Sequence, residues 1–271
     1  MTLASTRSAS EPSSFPPPAV TPEQAASLRA DLTESGWGVE TVAALLGGAA
    51  DAALRREIRL PALRAVRAAL AERSDSASSW SVAVLTALFM LGEPVPAIAL
   101  DAALPRTGAA GAAAVGLVGE PDETGCVRAR VDLRPHEAVD DAGEVRWWVA
   151  SDLGELVTGC ALAPDHVLGI GGAGLTLAGL TPRTPVSTAL DLGCGCGIQT
   201  LYLLRHAEHV VATDISERAL AFTVFNAALA GVSVIDGPRP GADAGSAGRL
   251  ELRLGSLLEP VAGRRFDLIA S

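Results

Sequence analysis

Apolar positions along this chain follow one period in its first part and another toward its end. From Pro22 onward they recur at spacings of three and four, at Leu28, Leu32, Val39, Val42, Leu45 and Leu46, which marks helices with one buried face. Thr21 reads as the N-cap of the first helix, with Pro22 at the first position and Gln24 at the capping-box position. A third helix is predicted over 60–72. Arg56, Arg59, Arg64, Arg67 and Arg73 flank it or face outward, either as a solvated face or as a patch for RNA phosphates. Trp80 to Leu91 and Val95 to Leu104 are two apolar segments separated by Gly92-Glu93-Pro94, the order of a helix-turn-helix. Alternating, β-prone runs then follow over 114–118, 126–133 and 145–150. Helices followed by hairpins suggest a winged-helix-like α+β domain over 21–155, or a small α+β domain that merely positions what comes after it.

From Thr184 the pattern becomes alternating strands and helices. Strands are predicted at 188–192, 209–213, 250–254 and 266–270, with helices over 198–206 and 217–230. Such βαβ order implies an α/β fold with a parallel sheet and right-handed crossovers. Residues 1–20, rich in Ser, Pro and Thr, read as a disordered leader, and the glycine-rich stretch 236–248 as a mobile surface loop.

Composition narrows the function classes. The 271 residues suffice for two domains, and the second is expected over 156–271. The formal charge is −10 and all 21 basic residues are arginine, a balance that disfavours indiscriminate nucleic-acid binding. Cys126, Cys160, Cys194 and Cys196 form no disulfide framework, and the Cys194–Cys196 spacing is not that of a zinc knuckle, so no metal is expected. The run Val82 to Leu91 is far shorter than the ~20 residues that span a bilayer. With no basic n-region ahead of an apolar core at the start, a cytoplasmic address and no membrane partner are expected.

The chemistry gathers at Leu190-Asp191-Leu192-Gly193-Cys194-Gly195-Cys196-Gly197. Glycines at 193, 195 and 197 follow an apolar strand and precede a helix, where a tight turn must bring backbone amides up to a ligand. The dinucleotide fingerprint G-x-G-x-x-G fails, since Ile198 follows Gly197. Without a pyrophosphate to hold, the Asp191 carboxylate suits a cationic amine. Asp214 ends the second strand, where a carboxylate can accept both hydroxyl protons of a ribose.

These residues resemble motif I of class I S-adenosylmethionine-dependent methyltransferases, with Asp214 similar to their ribose-binding acid. The resemblance implies a Rossmann-like class I sheet, of which strands one to four are present in the order 3-2-1-4, and S-adenosyl-L-methionine as cofactor. Leu254-Gly255-Ser256-Leu257-Leu258-Glu259-Pro260 is similar to the stretch that closes over adenine in the HemK/PrmC-like, "small domain" members, with Ser256 where they often carry Asp. The implied cofactor contacts are Asp191, Gly193, Cys194, Gly195, Gly197, Asp214, Ile215, Ser256 and Leu257. Gly171 and Gly172 either line the pocket or belong to a plain loop, and His166 reads as structural. Phe266-Asp267-Leu268-Ile269-Ala270-Ser271 resembles the fourth strand, which in those enzymes leads into Asn-Pro-Pro-aromatic. That motif implies methylation of a planar nitrogen. No catalytic residue is expected within the chain itself: the catalytic Asn is expected immediately after Ser271, so the 271-residue chain is expected to be truncated and inactive as it stands. The leading expectation is a parent enzyme that methylates a glutamine nitrogen on a protein of the translation apparatus. The others are an rRNA base methyltransferase and a truncated, non-catalytic binding protein.

Overall fold

A computed structural model describes residues 15–71, 77–140, 143–232, 234–235 and 249–271. The chain opens with α1 (Pro22–Glu34), α2 (Val39–Leu54), α3 (Leu60–Ala71) and α4 (Ala77–Leu85), the last running into a π-helical turn over Thr86–Met90. The capping box forms as the sequence predicts, with the Gln24 amide donating to the Thr21 hydroxyl and the Thr21 amide to Gln24 Oε1. Then come β1 (Val95–Pro96), α5 (Ala97–Ala103), α6 (Gly108–Ala114), β2 (Cys126–Val127), β3 (Asp132–Asp140) and β4 (Gly143–Ser151).

This differs in detail from the winged-helix-like order expected over 21–155. The run 126–133 is not one strand: β2 pairs with β1, Arg130 donates its amide to Leu117 and Gly119 to Arg128, and β3 starts only at Asp132. Period-two alternation reports which residues face inward, not where a strand changes partner. The segment 114–118 ends a helix and pairs through one bridge, Val118 with Ala129. Nor are residues 15–20 a free leader. Ala19 donates to the Val115 carbonyl, Arg130 lies over the Phe15 ring, and Pro18 sits against Gly116, whose φ of +84° turns the chain there. Residues 1–14, Glu72, Arg73 and the glycine-rich stretch 236–248 fall outside the described residues.

After α7 (Glu155–Thr158) and α8 (Gly172–Leu180), the last part is α/β: β5 (Val186–Leu192), α9 (Ile198–Leu203), β6 (Ala207–Asp214), α10 (Glu217–Leu229), β7 (Val234–Ile235), β8 (Leu250–Leu254) and β9 (Leu268–Ala270). The sheet order is β7-β8-β6-β5-β9 and every pairing is parallel. The predicted 3-2-1-4 order is there, with β7, two residues long, added outside β8.

One hydrophobic cluster crosses the predicted domain boundary, while two smaller ones lie within the α/β part alone. The first runs from Leu28 and Trp37 through Trp147 and Trp148 to Tyr202, Phe222 and Phe225. The reason lies in α10, whose buried residues include Ala219, Phe222, Phe225, Ala227 and Leu229, so it is apolar on more than one face. One side covers the sheet and the other receives β4 and α1. Arg29 of α1 donates to the carbonyls of Ala228 and Leu229, satisfying acceptors at the α10 C-terminus and placing a cation at its negative end.

Asp31 ties the helical part together. Its fully buried carboxylate accepts the backbone amides of Arg106 and Thr107 and the Arg106 guanidinium, whose other contacts reach Glu34. Among the described residues no helix is long and apolar enough to cross a membrane. Asp31→Ala should lower the unfolding free energy by about 2 kcal/mol, because it leaves two partly buried amides without an acceptor. Urea denaturation measures this, and a loss under about 0.5 kcal/mol, typical of a surface change, would contradict it.

Candidate functional site

The carboxyl ends of β5 and β6 meet at a loop built on three left-handed glycines. Gly193, Gly195 and Gly197 have φ of +79°, +55° and +82°, a region that side chains disfavour. Their surroundings differ. A Cβ on Gly193 or Gly195 would meet nothing within 4 Å, whereas one on Gly197 would lie 2.9 Å from the Thr223 side chain and 3.1 Å from its Cα. The first two glycines leave open space beside their backbone, and the third lets the loop pack onto α10.

Neighbours hold the loop in shape. The Thr213 carbonyl accepts the amides of Gly193 and Cys194, and Gly197 donates to Cys194. Asp214 Oδ2 accepts the Gly195 amide at 3.0 Å while Oδ1 accepts that of Ser216 at 2.9 Å. Each oxygen keeps a further lone pair for a ligand hydroxyl. The Asp214 carbonyl accepts the Gly255 amide, which brings Ser256 and Leu257 to the same edge of the sheet. Ile215 and Leu257 are 76% and 75% exposed, apolar side chains standing free beside the acid. The structure therefore brings together the predicted Gly193, Gly195, Gly197, Asp214, Ile215, Ser256 and Leu257.

Asp191 and the cysteines are placed otherwise. Asp191 is 1% exposed, and its Oδ2 accepts the Thr200 hydroxyl at 2.5 Å. It is thus a buried brace for the start of α9 instead of a carboxylate open to an amine. Burial pushes its carboxyl up to about 6, against the pull of the Thr200 hydroxyl and amide, and the charge of Asp214 adds to the rise. Cys194 and Cys196 are buried, and burial pushes both thiols up, Cys196 to about 11. As uncharged groups, their sulfurs serve as packing. Among the described residues no group of three or more His, Cys, Asp or Glu could hold a metal ion.

Gly171 and Gly172 start α8, and they reach the site indirectly, through the Gln199 side chain of α9, which donates to the Gly174 carbonyl. The stretch before them is anchored at the mouth of the site. Asp152 accepts the Val167 amide and forms a two-pronged pair with Arg218 in the first turn of α10. Sequence reasoning missed Thr200, Arg218, Thr223 and Asn226. Asn226 carried a readable signal, since an amide in a helix as apolar as α10 must find partners inside the protein. Two cavities lie elsewhere: one of about 350 Å³ among α3, α4 and α5, lined by Val66, Trp80 and Ala99, and one of about 880 Å³ at the opposite ends of β5 and β6, lined by Arg183, Arg205 and Arg249.

A parallel sheet with a three-glycine loop after one strand and an acid at the end of the next is the frame of a nucleoside- or nucleotide-binding site in a Rossmann-like α/β fold. Residues 190–271 match the family model described as "Methyltransferase domain", and residues 34–130 match a domain of unknown function (DUF7059). The chain is similar to the release factor glutamine methyltransferase of Cereibacter sphaeroides, 43% identical over 89 residues. That match covers 32% of this chain and 27% of the relative, so little more than a quarter of the relative's length is represented. Among solved structures, wild-type Trm5b from Pyrococcus abyssi superimposes with a TM-score of 0.28 at 12% identity, over 52% of this chain and 41% of that one, too loosely to define a shared fold.

Asp191 gives this site a pH signature. Its folded-state carboxyl titrates near 6 against an ordinary 3.8, so its proton favours folding fully below pH 3.8, and that contribution is lost as pH rises through 6. Asp191→Asn should therefore unfold at higher urea than the parent at pH 8, by roughly 1–3 kcal/mol, and show a shallower stability change between pH 4 and 6. A variant less stable at pH 8 with the parent's slope would refute the assignment.

Proposed function

We propose that this chain carries the S-adenosylmethionine-binding part of an N-methyltransferase whose acceptor is a glutamine side chain of a protein in the translation apparatus. The observation that carries the cofactor part is the Asp214 carboxylate, oriented by the Gly195 and Ser216 amides beside two glycines with open space at their Cα atoms. The residues fit the ligand by this chemistry. Open backbone at Gly193 and Gly195 admits its methionine end, and the free lone pairs of Asp214 accept two ribose hydroxyls. Ile215 and Leu257 offer apolar surface to a base, with Ser256 able to accept from an amino group.

S-adenosylmethionine supplies a methyl group on a cationic sulfur, open to in-line displacement by a nitrogen lone pair. What the chain contributes is alignment, and holding two reactants in line is a large part of such catalysis. The carboxyl end of β9 lies beside the loop, Ala270 pairing with Asp191, and there the family resemblance puts the segment that holds the acceptor nitrogen. The acceptor reading rests on the likeness to the release factor glutamine methyltransferase. The arginines around α3 do not favour the RNA alternative. Arg59 and Arg67 both turn to Glu93, and Arg56, just past the end of α2, donates to the Ala52 carbonyl of that helix.

Tritiated methyl from S-adenosylmethionine, offered to the full-length protein with purified release factors and ribosomal subunits, should appear on a release-factor glutamine. Label confined to RNA would overturn the acceptor. Asp214→Asn should weaken S-adenosylmethionine binding at least about tenfold, the scale of one hydrogen bond to a charged group, and unchanged affinity in calorimetry would overturn the ribose role. Binding without transfer to any acceptor would favour a non-catalytic binding protein.

A further inference from the structure

Asn226 is 0% exposed, and its side chain reaches two parts of the protein that are far apart in sequence. Its Nδ2 donates to the Cys196 carbonyl in the glycine loop at 2.8 Å and to the Ala150 carbonyl at 2.9 Å, while its Oδ1 accepts the Ala150 amide at 2.8 Å. Both donors of the amide are used, with one acceptor position, which is near the most a carboxamide can make. Ala150 lies in β4, whose sheet has two strands, so among the described residues one edge of β4 has no strand beside it. The Asn226 carboxamide stands at that edge like the peptide group of a missing strand, meeting both the amide and the carbonyl of one residue. One turn earlier, the Thr223 hydroxyl donates to the Gly195 carbonyl at 3.1 Å.

We propose that Asn226 is a positioning residue of the cofactor site, a clamp through which the β3–β4 hairpin sets the placement of the glycine loop. The proposal rests on the methyltransferase reading and adds a residue that touches no ligand. The loop carries its ligand-facing amides on glycine backbone, and Thr213, Asp214 and Thr223 hold its first residues from β6 and α10. The Cys196 carbonyl, just before the last glycine, is the handle by which Asn226 ties the loop to the hairpin. A carbonyl and an edge strand buried together need a donor each and an acceptor between them, and a single Asn supplies all three at fixed geometry. Ligand binding at Gly193–Gly197 and order at Ala150 are therefore coupled, although Ala150 belongs to the hairpin and not to the loop.

The test is calorimetry with S-adenosylhomocysteine on the full chain, at a temperature where circular dichroism shows every variant folded. Asn226→Ala should raise Kd at least about tenfold, equivalent to about 1.4 kcal/mol, whereas Val66→Ala in the helical core should lower the melting temperature and leave Kd within about twofold. A purely structural Asn226 predicts a lower melting temperature with unchanged Kd, and that result overturns the proposal. Should Asn226→Ala not fold, hydrogen exchange on the parent chain decides. S-adenosylhomocysteine should slow exchange at the Ala150 amide together with the loop amides, and protection of the loop without Ala150 overturns the proposal. Absence of any binding to the parent chain is a different failure: it removes the methyltransferase reading and this proposal with it.

Discussion

The loop between β5 and α9 has three glycines, so little of its own side-chain volume holds it in place beyond the inward-turned Cys194 and Cys196. Most of its constraints come from outside: the Thr213 carbonyl and Asp214 carboxylate from β6, the Thr223 hydroxyl and Asn226 amide from α10. Asp191 anchors the far side by gripping Thr200 in the first turn of α9. Left-handed glycines carry a high conformational entropy when unfolded, which makes this borrowed support necessary. The position of α10, and with it the hairpin and helices packed on it, follows from that need.

Burial sorts the charged groups of the site into two kinds. Asp214 stands half-exposed with both oxygens oriented by amides and still able to accept, which suits a group that meets ligand. Asp191, one strand over, is sealed off and holds its proton unusually tightly. Two acids at the ends of neighbouring parallel strands thus have separate tasks, one toward the ligand and one toward the scaffold. The cysteines flanking Gly195 are likewise turned inward, so the loop alternates open glycine with buried sulfur.

Much of this was legible in the sequence. The parallel pairing, the glycine loop and the acid at the end of β6 follow from periodicity and from the types of residue at strand ends, whereas the strand order came only with the resemblance to class I methyltransferases. Residues that act through tertiary partners were harder to read. The role of Asp191 depends on Thr200 being above it, and that of Asn226 on β4 lying against α10, contacts that local patterns do not encode. The change of period near 155 marks a change of local architecture, and one hydrophobic cluster nevertheless crosses it, a contact that local patterns do not encode. In the helical part, alternation at 126–133 concealed a change of partner at Arg128–Arg130 that only the hydrogen bonds reveal.

The two-sided burial of α10 bears on how such a protein diversifies. A fold whose ligand-binding half ends in a polar surface can be cut free and joined to new neighbours, with its chemistry travelling as a cassette. Here Phe222, Phe225 and Leu229 are seated against the preceding helices and hairpin, and Arg29 closes the end of the same helix from the far side. Exchange of the amino-terminal half between lineages would strand that greasy face in water unless α10 were rewritten in the same event. A change on one half must then be matched on the other, because each supplies the surface that keeps the other's apolar face out of water.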